Sequence, residues 1–333
     1  MRIKETLTYD DVLLTPQYSN IKSRKEVDIG NNLDEKIRLK IPVLSSPMDT
    51  VTEDTMAKVM HTLGALGIIH RYNTIEEQCN LARHQTSGAA VGVTGDFEER
   101  ASALYDAGTR ILCIDVAHGH HSLMKNAIMT LRETFGDCVH IMAGNVATQE
   151  GYEALADWGA NSVRCNVGGG SICSTRIQTG HGMPGLQTIF DCARTDRDAK
   201  IIADGGIRNS GDIVKALAAG ADFVMLGSML AGTAESPGNV VVESSGNQYK
   251  LYRGMASKEA QLNWRGEYSS NEGISTRIPF KGSVRNVLED LKNGITSGFS
   301  YSGARSIEEL WLKARFVRQT NAGLGESKTH ILS

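Results

Sequence analysis

Apolar positions along this chain follow two alternating rhythms. Short continuous runs come first: Ile41-Pro-Val-Leu44, Leu66-Gly-Ile-Ile69, Ala89-Ala-Val-Gly-Val93, Ile111-Leu-Cys-Ile114, Val139-His-Ile-Met142, Ser162-Val-Arg-Cys165, Lys200-Ile-Ile-Ala203 and Phe223-Val-Met-Leu226. Each has the length and composition of a strand buried on both faces. Between them lie stretches whose apolar residues recur every three or four positions. These predict helices over Thr55–Leu63, Ile75–His84, Phe97–Ala107, Leu123–Phe135, Tyr152–Trp158 and Ile213–Ala219. Most strand starts lie 22 to 28 residues apart, the span of one βα unit. Eight such units in series predict a closed (β/α)₈ barrel of the TIM type, with the whole of 1–333 as a single domain. A doubly wound open sheet is the competing α/β reading. No GxGxxG or GxxxxGK[ST] signature stands at a strand–helix junction, which weighs against it.

Two intervals break the rhythm. A long stretch holding Gly168–Gly185 separates the sixth and seventh strands. Roughly fifty residues, 229–282, follow the eighth strand before the last clear helix, Val284–Leu291. Barrel chemistry sits on the loops after the strands, so both excursions are expected to carry it.

Composition narrows the chemistry. Hydrophobic residues make up 41% and charged residues 22% of the 333, with a formal net charge of −3. No Lys/Arg stripe favours nucleic acid or an anionic membrane. No apolar run approaches the roughly 18 residues of a membrane helix, and the first residues lack a signal-peptide core. The six cysteines form no CxxC pair, consistent with a reducing, cytoplasmic setting.

The most informative run is Asn166-Val-Gly-Gly-Gly-Ser-Ile-Cys-Ser-Thr-Arg176. Three glycines let the backbone approach a ligand, and their amides with the Ser171 hydroxyl suit a phosphate or a cation's carbonyl shell. Cys173 then stands at the end of the sixth strand as a candidate nucleophile, with Thr175 two residues on. Asp204-Gly-Gly206 and Gly227-Ser228 end the seventh and eighth strands, where barrels often bind phosphate; Asp204 suits a ribose hydroxyl. Asp115 and Asn145 end the fourth and fifth strands and suit a second ligand. A turn or cap role is open for both. His118, His120 and His121 lack the partner set of a zinc site, and a chance histidine-rich loop is the preferred reading.

Taken in order, several motifs resemble the IMP dehydrogenase/GMP reductase family. They are Tyr9-Asp-Asp-Val-Leu-Leu14, Ser46-Pro-Met-Asp-Thr-Val51, Asp115-Val-Ala-His-Gly119, Ala143-Gly-Asn-Val146, Gly170-Ser-Ile-Cys173, Asp204-Gly-Gly-Ile207, Met225-Leu-Gly-Ser228 and Tyr252-Arg-Gly-Met255. The resemblance implies a barrel, usually a homotetramer, acting on a purine 5′-monophosphate with a nicotinamide cofactor. It implies that Cys173 attacks C2 of the purine. It also implies that Ser171, Gly206, Gly227, Ser228 and Tyr252 hold the phosphate and Asp204 the ribose. Gly254, Met255 and Gly273 would meet the base edge, and Asp115 and Asn145 the nicotinamide end. Carbonyls of Gly168, Gly170 and Cys173 would hold a potassium ion. The regulatory CBS pair that many family members insert after the second helix is absent, because His84 runs directly into the third strand.

Within the family, dehydrogenases oxidise IMP with NAD and use an Arg-Tyr pair on the flap to activate water. Reductases convert GMP to IMP and ammonia with NADPH and use a Thr-Glu pair. The flap here, Trp264-Arg-Gly-Glu-Tyr-Ser-Ser-Asn-Glu-Gly273, has no adjacent Arg-Tyr, and Glu272 with Thr175 looks like the reductase pair. Arg176-Ile-Gln-Thr-Gly180 points the same way. Met48–Glu53, Ala203–Arg208 and Asn321–Leu324 instead look like a bacterial dehydrogenase. Gly185 and Ser269 depart from both patterns and bear on the base or cofactor. GMP reductase is the favoured expectation. The rivals are an IMP dehydrogenase with Arg265 or Tyr268 as the base, a catalytically silent nucleotide-binding homologue, and an enzyme for a deoxy or modified purine nucleotide.

Overall fold

The computed structural model describes residues 3–83, 87–268 and 271–329. All eight runs become the strands of a closed parallel barrel: β1 (Val43–Ser45), β2 (Leu66–Ile69), β3 (Ser87–Val91), β4 (Ile111–Asp115), β5 (His140–Val146), β6 (Ser162–Cys165), β7 (Lys200–Asp204) and β8 (Phe223–Leu226). Each strand pairs with the next in sequence, and β8 closes on β1 through Met225 against Leu44. Helices follow strands one to seven, α1 (Asp54–Thr62), α2 (Ile75–Ala82), α3 (Phe97–Asp106), α4 (Ser122–Phe135), α5 (Gln149–Asp157), α6 (Gly185–Cys192) and α7 (Ser210–Ala218), with one further turn of helix, Thr175–Thr179, in the cysteine loop before α6. The eighth, α8 (Val284–Tyr301), is ten residues longer than the apolar periodicity alone marked. His84, the expected junction into β3, lies outside the described residues.

The continuous apolar runs have a simple cause. Neighbouring strand residues face two different interiors. Leu44, Met142, Ile202 and Met225 fill the barrel, while Val43, Ile141, Ile201 and Val224 pack outward against the helices. Both faces are dry, so both positions must be apolar.

A small hairpin, Asn31–Asn32 against Arg38–Leu39, sends Leu33 and Leu39 into the barrel interior at the N-terminal ends of the strands. It is held there by Asp34, which lies 2.9 Å from His140 Nδ1, while His140 Nε2 lies 2.8 Å from Ser162 Oγ. This trio has the connectivity of a hydrolase triad. It sits at the wrong end of the barrel, with Ser162 wholly buried, and acts as a bolt.

The flap, 229–282, is not the loop that the sequence reading expected. Val241–Val242 (β9), Gln248–Arg253 (β10) and Ser275–Pro279 (β11) form an antiparallel sheet, and Lys258–Arg265 form a helix capped by Ser257. The reading missed these strands because their exposed faces dilute the apolar signal; Val242 and Leu251 are both exposed. The hidden end of Lys250 donates to the carbonyls of Thr233 and Ser236 and fastens the sheet to the chain leaving β8.

Candidate active site

At the C-terminal ends of the strands a cavity of about 330 Å³ reaches from the β7 and β8 loops, past Cys173, to Arg71 and Tyr72 after β2. The cysteine loop bounds one side. Gly169 is needed there, since a Cβ on it would stand 2.1 Å from Asn166 Nδ2. Asn166 itself takes φ +156° and donates to the Gly205 carbonyl at 3.2 Å, tying the loop to β7.

Cys173 is half-buried. Its thiol donates to Thr175 Oγ1 at 3.2 Å, and Thr175 donates to Glu272 Oε2 at 2.7 Å. Residues 97 positions apart in sequence thus form one hydrogen-bonded file. Backbone contacts hold it in register: Ser174 N–H donates to Glu272 O, Ile274 N–H to Ile172 O, and Cys173 bridges to Gly273. The flap therefore brings the carboxylate to the nucleophile's loop as an added strand.

The predicted phosphate groups also converge. Gly206, Gly227, Ser228, Ser171 and Tyr252 all line the cavity. Ser171 Oγ lies 3.4 Å from Tyr252 Oη. Burial pushes the Tyr252 phenol up from its usual value, which keeps it a donor. Met255 and Gly254 line the same wall, and Asp49 N–H meets Met255 Sδ at 3.4 Å. Arg253 clamps this turn to the β1 loop through Asp49 Oδ2 at 3.0 Å.

Asp204 and Asp115 have a common partner that sequence reasoning passed over, and Asn145 joins the group through Asp204. Arg164, inside β6, is buried and places Nη1 2.5 Å from Asp115 Oδ1 and Nη2 2.8 Å from Asp204 Oδ2. Asn145 Nδ2 donates to the same Asp204 oxygen at 2.9 Å. Burial would weaken the guanidinium's hold on its proton, but the two carboxylates overcome this and raise it well above the ordinary value. The available signal was a charge in the middle of an otherwise apolar strand, which requires a buried counter-charge. Arg71 was also missed. It lines the far end of the cavity, donates to Asp115 O at 3.3 Å, and its buried Nε has no hydrogen-bond partner among the described residues.

Other expectations fall away from the centre. His121 caps α4 by accepting from Leu123 N–H, and His120 packs on Trp158. No metal-binding group of three His, Cys, Asp or Glu occurs among the described residues. Tyr268 is half exposed beneath Lys258, 4.6 Å from its ring centre, and does not line the cavity. Ser269 and the Arg265 side chain lie outside what is described. Gly185 lines a second hollow behind the phosphate loops rather than the place expected for the base. No helix among the described residues is long and apolar enough to cross a membrane.

Known proteins resemble this chain in sequence and fold. A family model for the IMP dehydrogenase / GMP reductase domain matches residues 6–330. Inosine-5′-monophosphate dehydrogenase of Nitrosopumilus maritimus is 33% identical over 99% of this chain and 99% of its own. GMP reductase of Leishmania major is also 33% identical, over 99% and 98%. Those alignments run over 473 and 483 positions against 333 residues here, so these relatives carry inserted segments. A crystal structure of a Cys-to-Ala variant of GMP reductase from Trypanosoma brucei, in complex with guanosine 5′-monophosphate, superposes with a TM-score of 0.94 at 33% identity, covering 98% of each chain.

Proposed function

The chain belongs to the IMP dehydrogenase / GMP reductase family of oxidoreductases acting on purine nucleotides, and from that premise we propose that it is a GMP reductase, converting GMP and NADPH to IMP, ammonia and NADP. The file Cys173–Thr175–Glu272 carries this reading. A dehydrogenase must make a nucleophile from water after its redox step. A reductase must put a proton on a departing amine, which asks for a hydroxyl and a carboxyl beside the cysteine.

In this mechanism Ser171, Gly206, Gly227, Ser228 and Tyr252 hold the 5′-phosphate, Asp204 accepts from the ribose, and Gly254 and Met255 border the purine edge, while Gly273, expected there too, is buried against Gly254 and does not line the cavity. The Cys173 proton passes through Thr175 to Glu272 as the sulfur adds to C2. Glu272 and Thr175 then return a proton to the 2-amino group, the C2–N bond breaks and ammonia leaves. Hydride addition at C2 and loss of the Cys173 thiolate complete IMP. The residues fit a nicotinamide cofactor: the cavity continues past Cys173 to Asp115 and Asn145 and ends at Arg71, a cation that would face an anionic part of the cofactor. Bound there, the cofactor supplies the hydride. NAD is the alternative cofactor. The carbonyls of Gly168, Gly170 and Cys173 would supply oxygen donors to a potassium ion. Gly170 O already accepts Cys173 N–H at 3.1 Å on one lone pair, leaving the second for a cation. A homotetramer is the proposed assembly.

Similar identity to the dehydrogenase and the reductase relatives keeps a second reading, IMP dehydrogenase, in view. Nicotinamide absorbance separates them. It falls with GMP plus NADPH for a reductase and rises with IMP plus NAD for a dehydrogenase. Within the reductase reading, Glu272→Gln is expected to slow deamination by roughly 10²–10⁴-fold. GMP affinity should stay within about threefold of wild type, since the lost group acts on the leaving amine. Parallel loss of turnover and affinity would make Glu272 a binding group instead.

A further inference from the structure

Behind the phosphate loops lies the second hollow, of about 310 Å³, walled by Tyr9, Asp10, Arg176, Gly185 and Arg208. It shares Ser171, Gly206 and Ser228 with the main cavity, so the groups assigned to the 5′-phosphate form a wall common to both spaces. The volume is far more than the roughly 30 Å³ that one water takes in the liquid. Part of the room exists because residue 185 has no side chain. A Cβ there would stand 3.0 Å from Asn166 Nδ2 and 3.5 Å from Tyr9 Cε2, both residues of the hollow's wall.

The two guanidinium groups of the wall are not equivalent. Arg208 is spent on Asp10, with Nη1 at 3.0 Å, and on Asp212, with Nε at 3.3 Å. Arg176 makes no ion pair among the described residues. Its Nε donates to Val167 O at 3.3 Å, and its Nη2 donates to the carbonyls of Val167 and Met183 and to Asn166 Oδ1. Its Nη1 has no hydrogen bond there. Arg176, exposed and without a carboxylate partner among the described residues, thus brings free donor capacity to a roomy space walled in part by the phosphate loops. Such a wall rewards an anion and offers little to an apolar or cationic group.

We propose that this hollow receives a second phosphate, so that the site binds purine nucleoside 5′-diphosphates as well as monophosphates, with the β-phosphate beside Arg176. This rests on the reading that a purine 5′-phosphate lies between Cys173 and the β7 and β8 loops. It extends the ligand class at the phosphate end only and leaves the chemistry at C2 as above.

Equilibrium binding of GMP and GDP to the full chain, in one buffer, tests it. Wild type is compared with Gly185→Ala and Gly185→Gln, which place progressively more volume in the hollow. Wild type should bind GDP at least as tightly as GMP. Gly185→Gln should weaken GDP by about tenfold or more and Gly185→Ala by less, with GMP moving less than about threefold in either. GMP binding with GDP more than about tenfold weaker in wild type would overturn the inference and leave the nucleotide reading intact. Equal loss of both ligands in the folded variants would also overturn it. Binding of neither nucleotide to wild type would remove the nucleotide reading, and this inference with it. If a variant fails to fold, the wild-type comparison alone decides.

Discussion

Cys173→Ala is expected to lower turnover by a factor on the order of 10⁴–10⁶ while nucleotide binding survives. The asymmetry follows from how the site is divided. The phosphate and ribose groups stand at the ends of β7 and β8, on the flap strand β10 and, for Ser171, on the cysteine loop, where its hydroxyl lies 3.4 Å from Tyr252 Oη and makes no hydrogen bond with the sulfur. The thiol's hydrogen bond goes to Thr175 Oγ1. Thr175 keeps its own bond to Glu272, and the backbone bridge to Gly273 needs no side chain. Removing one half-buried sulfur should therefore cost about 1 kcal/mol of stability or less. Chemistry has no such reserve, because the acid pair has nothing to protonate until a bond to C2 forms. Single-turnover assays and nucleotide titration on the same preparation separate the two effects. Mass spectrometry of wild type quenched during turnover should find the purine on the peptide holding Cys173. Turnover of the alanine variant within about tenfold of wild type would end the covalent mechanism.

The sequence made the barrel legible because a strand buried on both faces leaves an unambiguous mark. Leu66–Ile69, Ser162–Cys165 and Phe223–Leu226 coincide with their predicted runs residue for residue. The groups after the strands were legible for a related reason: a barrel aims its strand ends at one place, so Cys173, Asp204 and Ser228 could be grouped before any contact was known. What stayed hidden depended on contacts between distant segments. The flap sheet is half solvated, so its alternation is weak, and its docking through Ser174, Ile274 and Gly273 is a backbone matter without a side-chain signature. Glu272 was reached through family resemblance and not through periodicity. Arg71 and Arg164 carry no motif of their own, and their meaning appears only beside Asp115 and Asp204. The Gly185 hollow is equally invisible, being the absence of a side chain at a place that Tyr9 and Asn166 define from far away in the chain.

Arg164→Met should be the most destabilising single change in the site, by about 3–5 kcal/mol, because it strands two carboxylates in a wall built around a cation. Methionine fills much of the stem's volume, so the loss is electrostatic more than steric. The side chains of Asp115 and Asp204 are only 16% and 12% exposed, too little for water to replace the guanidinium. A Cβ on Gly144 would lie 2.6 Å from Arg164 Cβ, so the neighbouring strand is shaped to let this side chain cross. Arg164→Lys should recover only part of the stability, since one ammonium cannot present a planar fork to two carboxylates at once. Adding Asp115→Asn to Arg164→Met should regain stability that neither change predicts singly, because it removes one stranded charge. Denaturant midpoints for the three variants test this order. Activity supplies an independent readout. Asp204 loses two of its three donors, keeping Asn145 Nδ2 at 2.9 Å. The ribose contact should therefore loosen and KM for the nucleotide rise more than kcat falls. A methionine variant as stable as wild type would mean that Asp115 and Asp204 do not need Arg164, and the ion-pair account of this wall would fail.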